Sequence, residues 1–498
     1  MELQFEKTML RHLNPVFREV RDQELTQEIR LSDGMPDIGR VIWACGQPMV
    51  RGKEWRTGSL SLTGGVMIRV LYAPEDGTEA RSIEEWIPFR MKWDLPEGVP
   101  EGQMRTHCIM RFVDGRNVSP RKLMLRCGVS ALMEAWTPAV TEVAVPGQPE
   151  GIQLLKECYP IRLSREAGEK AFVIEEELTF PPSCPKPGKL ICCTLNPLVT
   201  EEKVLGDKAV IRGTGQLHVL YICEDGQLHT WDFELPFAQF AQLEEDCGPD
   251  ARLDVMLGIT SLEPELTENG ILRVKCGLVA QYLMDDRQIL ELAADAYAPG
   301  RELAVDMDRL ELPAVLETRT ETLSSETAIQ MDADVVTECL FLPEFPELRR
   351  NEQGVALLLQ GQVQVLCYGA GGELRSGTGR WEKQMVLACD EGNLLYGDIS
   401  PSTSCRITPG AGEVTVSCGT DLRLRSIGTQ GLPMVKGLNL GEIREPDPGR
   451  PSLILRRAGQ DGLWPLAKEY GTTVEAIREA NCLEDQPGPE RMLLIPVP

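Results

Sequence analysis

The chain has 498 residues, 42% hydrophobic and 26% charged, with a net charge of −25 and a mean hydropathy of −0.18. That balance excludes a disordered chain, and its charge sets aside nucleic acid and anionic membrane surfaces as partners, since both would repel it at long range. At roughly 150 residues per domain there is material for three or four buried cores.

The opening segment, MELQFEKTMLRHLNPVFREV, has no uninterrupted apolar run behind a basic head, so no secretion signal is expected. Nowhere do eighteen apolar residues run together, and no membrane-spanning helix is expected. Residues 4–25 have the composition for one short helix. A cytoplasmic chain keeps its thiols reduced. None of the sixteen cysteines forms C-x-x-C, the nearest grouping being Cys192-Cys193, and His12, His107, His218 and His229 lie far from ligand spacing. Neither a metal nor a cofactor is expected from these spacings.

Further along, the chain repeats itself. VMIRVLYAPEDG (66–77), GQLHVLYICEDG (215–226) and GQVQVLCYGAGG (361–372) align without a gap, placing Tyr72, Tyr221 and Cys367 at one position. A second marker follows in each copy: LRCG (125–128), VKCG (274–277) and VSCG (416–419). Leu217, Val219 and Tyr221 alternate with His218, the period of a strand, and each first marker ends on Asp-Gly or Gly-Gly, residues that tolerate a tight hairpin. In the second marker Cys127, Cys276 and Cys418 share a strand face with Leu125, Val274 and Val416, which predicts buried, unreactive thiols. Proline and glycine clusters at 144–151 and 297–300 separate the copies, and REPDPGRPS (444–452) reads as an exposed tether.

After the tether the period changes. Residues 453–455 suit a short strand. Leu463, Leu466, Ala467 and Tyr470 then form one helix face, and Gly471 can end that helix in a left-handed turn. Thr473 can cap a second helix with Glu475 in its first turn, and MLLIP (492–496) closes the module as a strand. The predicted fold class is therefore mainly β: three repeated all-β domains, sandwich- or barrel-like (1–150, 151–300, 301–445), a Pro-rich linker (446–452) and a small C-terminal β-α-α-β module (453–498).

The last module resembles the LysM domain through Leu463-Trp464, AKEYGTTVEAI (467–477), Asn481 with Leu483, and LLIP (493–496). That resemblance implies a groove for N-acetylglucosamine chains built from Asp461, Gly462, Leu463, Trp464, Asn481, Leu483, Pro489, Glu490 and Arg491. Here the family's G-D-T/S-L-W is Q-D-G-L-W (460–464) and its P-G-Q is P-E-R (489–491), so a hydroxyl is lost and a charge gained at the rim. Asp461 remains available to cap the first helix.

The first copy, through TQEIRLSDGMPDIGRVIWACG (26–46), EEWIPF (84–89) and RKLMLRCGV (121–129), resembles the SipL/SPOCS domain of spore-coat proteins; the other copies lack the P-D-I-G motif. Three such units and one LysM module resemble the layout of SipL-type coat morphogenetic proteins. The resemblance implies a non-enzymatic scaffold in the mother-cell cytoplasm, at the forespore surface, contacting the coat basement-layer ATPase (stage IV sporulation protein A) and other coat proteins. The alternative it leaves is a peptidoglycan-binding protein. No G-x-S-x-G, H-E-x-x-H or phosphate-loop motif points to catalysis.

Overall fold

A computed structural model describes the chain except residues 1, 148, 245–246, 352–353, 388–393, 402–404, 411, 444–448, 450, 461, 486 and 498. Nearly all of it is strand. The first unit comprises β2 (Glu6–Arg30), β3 (Ile38–Arg56), β4 (Ser59–Pro74), β5 (Arg81–Asp94), β6 (Gln103–Ser119) and β7 (Lys122–Val145), preceded by the short β1 (Glu2–Gln4). The second has β8 (Gln153–Thr179), β9 (Pro187–Leu205), β10 (Lys208–Cys223), β11 (Leu228–Gln242), β12 (Arg252–Leu266) and β13 (Ile271–Tyr297). In the third, β14 (Arg301–Gln330) is followed by β15 (Val335–Pro343), β16 (Glu347–Asn351), β17 (Gly354–Tyr368), β18 (Leu374–Leu387), β19 (Leu394–Pro401), β20 (Arg406–Gly410) and β21 (Glu413–Ile443).

Each unit packs two antiparallel sheets face to face. In the first, β3-β4-β5 is a meander and β2-β7-β6 is the second sheet. The second repeats this as β9-β10-β11 and β8-β13-β12. The third keeps the plan with two strands broken: β15 and β16 both pair with β17, and β19 and β20 both pair with β21. Alternation fixes which side faces in. Along β5, Ile87, Phe89, Met91 and Trp93 are buried while the residues between them are exposed, the period-2 pattern of a half-covered sheet.

The helix expected within residues 4–25 is not formed. Those residues lie largely in β2, whose ladder to β7 runs from Glu6↔Val145 to Arg30↔Lys122. Local preference in this Glu- and Arg-rich stretch loses to tertiary pairing, which satisfies the backbone and buries Leu10, Leu13, Leu25 and Ile29. The pairs β2–β7, β8–β13 and β14–β21 are longer than their own sheets need, and register shifts bend each of them. Their inner halves line unit cores. The outer halves converge in a common hub, where Leu10, Tyr159 and Leu310 meet Val143, Leu292 and Met434, equivalent positions of three units. A second hub joins Leu71, Leu220 and Leu366. Three equivalent positions meeting twice means the units are arranged about an approximate threefold axis. The N-terminal β1 pairs with β21, Leu3 opposite Leu438, and so ties the start of the chain to the third unit.

One expectation about thiols is corrected here. Cys45 and Cys192 are joined by a disulfide that links the first unit to the second. The reduced-thiol expectation came from compartment alone; the fold brings two cysteines 147 residues apart to one side of the second hub, beside Ile42, Trp43 and Ile191.

The terminal module has β22 (Leu453–Arg457), α1 (Leu463–Tyr470), α2 (Val474–Ala480) and β23 (Met492–Pro496), with β22 and β23 antiparallel. Gly471 ends α1 in the left-handed region, and the Thr473 hydroxyl accepts from the Ala476 amide at the start of α2. The cap of α1 is Gly462, which brings no side chain to that role. Asp461 lies outside the described residues, as do most of the linker positions 446–452.

Candidate functional site

The proposed groove residues divide into those that hold the module together and those that face its surroundings. Asn481 belongs to the first group: its Nδ2 donates to the carbonyls of Ile477 and Leu494, and its Oδ1 accepts from the Leu494 amide at 2.7 Å. Its polar atoms are thus committed to joining α2 to β23. Leu463 is buried and Leu483 half-buried in the module's core. The 488–491 turn lies against 457–459: the Pro489 carbonyl accepts from Gly459, and the Arg491 carbonyl from Ala458. Glu490 pairs with Arg457 at 3.0 Å in solvent, and Arg491 Nη2 reaches the Asn481 carbonyl. Gly462 is partly covered.

Trp464 faces a different way. Its Nε1 donates to Asp295 Oδ2 at 2.9 Å, and its ring meets Tyr297 edge-on at 4.9 Å. Lys468, one turn on, donates to both Asp295 oxygens at 2.7 Å, and the buried Tyr297 hydroxyl donates to the Thr472 carbonyl at 2.8 Å. The module is therefore latched to the end of β13 in the second unit. Burial pushes the Asp295 carboxyl upward, but its Lys468 and Trp464 donors outweigh that and hold it below the usual carboxylate range. Burial drives the Tyr297 phenol to about 12.

With Trp464 turned inward, the outer face of the β22–β23 sheet is left to solvent. Leu455 lies opposite Leu494, and Leu453 and Met492 stand on the same face; they are 59%, 38%, 52% and 49% exposed. Four large apolar side chains stand side by side on one small sheet as an exposed apolar patch. Sequence periodicity could have indicated it, because β23 alternates, with Leu493 and Ile495 inward and Met492 and Leu494 outward.

The repeat markers all lie in cores. Tyr72 and Tyr221 are buried and donate to Pro36 and Pro185 carbonyls at 3.1 and 3.2 Å, the same bond in two units. Cys367 takes their place in the third and reaches the Asp332 carbonyl through sulfur. The hairpin glycines Gly77, Gly226 and Gly372 all have positive φ, as the turns require. Burial pushes the Cys127 and Cys276 thiols up to about 12, consistent with inert packing. Cys418 differs: its sulfur lies with those of Cys339 and Cys405, all within 4.8 Å of one another.

Sequence reading gave no sign of the polar junction at the centre. Arg105 of the first unit donates to Glu134 and to Asp254 of the second, both at 2.7 Å. From the third unit, Arg423 reaches Asp254 at 2.6 Å and Arg425 reaches Asp285 at 2.6 Å. His107 contacts Asp398 at 2.8 Å. Burial raises the Asp254 carboxyl, but Arg105, Arg423 and Arg425 outweigh it and hold it far below its ordinary range. A second bridge sets His218 between Asp232 of its own unit and Glu338 of the third; burial lowers its pKa, but the two carboxylates raise it to about 10. The partners that join different units are more than 100 residues apart, so no local spacing reveals them.

With this geometry in view, the comparison with known families is informative. Residues 187–266 match the SipL, SPOCS domain family model. The matched stretch runs from the first residue of β9 to the last of β12, so it covers the meander and the strand that returns to the second sheet. It lies in the second unit, although the P-D-I-G motif had pointed to the first. Pro187 pairs with Cys223 where Ile38 pairs with Pro74, so the two stretches occupy the same place in the fold despite the lost motif. No curated protein and no solved structure matches the chain.

Proposed function

We infer that the chain is a sporulation-related, non-enzymatic scaffold. The three β units form one closed body that carries a LysM-type module, and the module docks a protein rather than a wall polymer. The SPOCS match in the second unit supports the sporulation setting. The partner proposed for the module is the coat basement-layer ATPase, met at the forespore surface from the mother-cell cytoplasm, with other coat proteins on the β units. One observation carries the docking part: Trp464, at the mouth of the expected sugar groove, is engaged by Asp295 and Tyr297, while Leu453, Leu455, Met492 and Leu494 remain exposed on the opposite sheet.

The test uses the full chain, passed over the immobilised ATPase and, separately, spun down with insoluble peptidoglycan. Retention on the ATPase, lost when Leu455→Glu and Leu494→Glu are combined, is the expected result. Sedimentation with peptidoglycan that survives this double change but is lost in Glu490→Ala/Arg491→Ala would replace it with the glycan-binding alternative.

A further inference from the structure

The third unit departs from the other two in the set of residues it places at three neighbouring register positions. Opposite the central strand of each meander, Ala44 pairs with Val70, Cys193 with Val219, and Cys339 with Val365. On the last long strand the equivalent residues are Cys127, Cys276 and Cys418. Facing these stand Val113, Leu262 and, one residue ahead of β20, Cys405. The first unit therefore fills the three positions with alanine, valine and cysteine, and the second with two cysteines and a leucine, all buried. Only the third has sulfur at all three. There Cys418 is buried, Cys339 and Cys405 are half-buried, and Cys405 Sγ is 3.0 Å from Cys418 Sγ.

We propose that Cys339, Cys405 and Cys418 form a three-thiolate site for zinc, with solvent or a small exogenous ligand in the fourth position. Zinc–sulfur bonds of about 2.3 Å at a tetrahedral ion place the sulfurs roughly 3.8 Å apart, so the cluster needs only a small spread of the closest pair. Cys405 and Cys418 stand beyond disulfide bond length, and a third sulfur beside them would have no part in such a bond. Divalent zinc leaves one net negative charge on three thiolates, whereas a monovalent soft ion leaves two, a heavier cost in a partly buried pocket. The half-exposure of Cys339 and Cys405 gives water access to the fourth position.

The place of the site in the fold gives it a structural use. Cys339 is on β15, in the sheet organised by β17, while Cys405 and Cys418 belong with β20 and β21 in the opposite sheet. A metal there joins the two sheets. This is also the unit whose first meander strand is divided into β15 and β16, where the other units have continuous β3 and β9. A cross-link compensates for ladder hydrogen bonds that this break removes.

The test is metal content of the full-length chain, purified under reducing, air-free conditions, together with cobalt(II) uptake read by thiolate-to-cobalt charge-transfer absorption. About one equivalent of zinc, exchangeable for tetrahedral cobalt, is expected. Cys405→Leu and Cys339→Ala restore the residues of the second and first units, so they should keep the strand-type circular dichroism of the parent and lose the uptake. Cys276→Val, in the second unit, should retain it. A parent chain that binds neither ion, a Cys405→Leu variant that still binds one equivalent, or a Cys405–Cys418 disulfide in the peptide map of the freshly purified chain would each overturn the assignment.

Discussion

Replacing Asp254 by asparagine tests whether the three units stand or fall together. The carboxylate sits between guanidinium groups from two other units: Arg105 and Arg423 donate to it at 2.7 and 2.6 Å, and Arg425 lies 3.6 Å away. Losing the charge leaves three arginines adjacent, with Glu134, Asp285 and Glu202, the last 3.9 Å from Arg423, as remaining anions. Removing one partner from a buried ion pair costs about 3–5 kcal/mol, against less than about 1 kcal/mol for an exposed pair such as Lys7–Glu142. If the three units unfold as one body, unfolding entropy of about 2.1 cal/mol/K per residue makes the loss a drop of about 4 °C in midpoint. If only one unit melts at a time, the same loss gives roughly three times that shift in one transition. Calorimetry separates the two, and Trp136, whose ring lies 5.1 Å from the Arg105 guanidinium, gives a fluorescence reading at the junction itself. The account predicts the small shift of a single cooperative transition. An Asp254→Asn chain within about 0.5 kcal/mol of the parent would refute the claim that this carboxylate holds the junction.

Further outcomes follow from the same contacts. Acid should weaken the junction: Asp254 has a depressed folded pKa, so its stabilisation is complete above its unfolded value and is lost as pH falls toward the folded one, a loss that Asp254→Asn should remove from the pH profile. His218 has the opposite sign. Its folded pKa near 10 lies above the unfolded value of about 6.5, so its contribution is full below pH 6.5 and lost as pH rises to 10; the parent-minus-His218→Gln difference in midpoint should shrink over that window. Cys192→Ser opens a loop of 147 residues and should cost up to about 5 kcal/mol by chain entropy, measured by denaturant unfolding under non-reducing conditions; no change would mean the crosslink adds nothing in solution. Asp295→Ala removes the acceptor of Trp464 and Lys468, and a loss of about 2 kcal/mol should speed amide exchange across residues 463–472 by about 30-fold while β22–β23 stays protected; unchanged exchange would deny the latch.

What the sequence disclosed was whatever depends on neighbours along the chain. The alternation of Leu217, Val219 and Tyr221, the hairpin glycines and the helix ends at Gly471 and Thr473 are local signals, and the structure has each of them. Residues 4–25 mislead because they suit a helix, while the ladder to β7 that overrides them lies more than 90 residues away. The disulfide, the Arg105–Asp254–Arg423 junction and the three clustered sulfurs were invisible for one reason. Each joins side chains that only the packing of the units, or of two sheets within one, brings together. Asn481 shows the converse: a residue marked for a sugar groove turns out to have its amide spent on backbone groups.

The most direct measurement of the proposed scaffold role is where the whole chain goes in a sporulating cell. A full-length fluorescent fusion should form a ring around the forespore, and Leu455→Glu with Leu494→Glu should disperse it without lowering its abundance. Signal spread evenly through the cell across sporulation, or a ring indifferent to those two residues, would contradict docking through the terminal module.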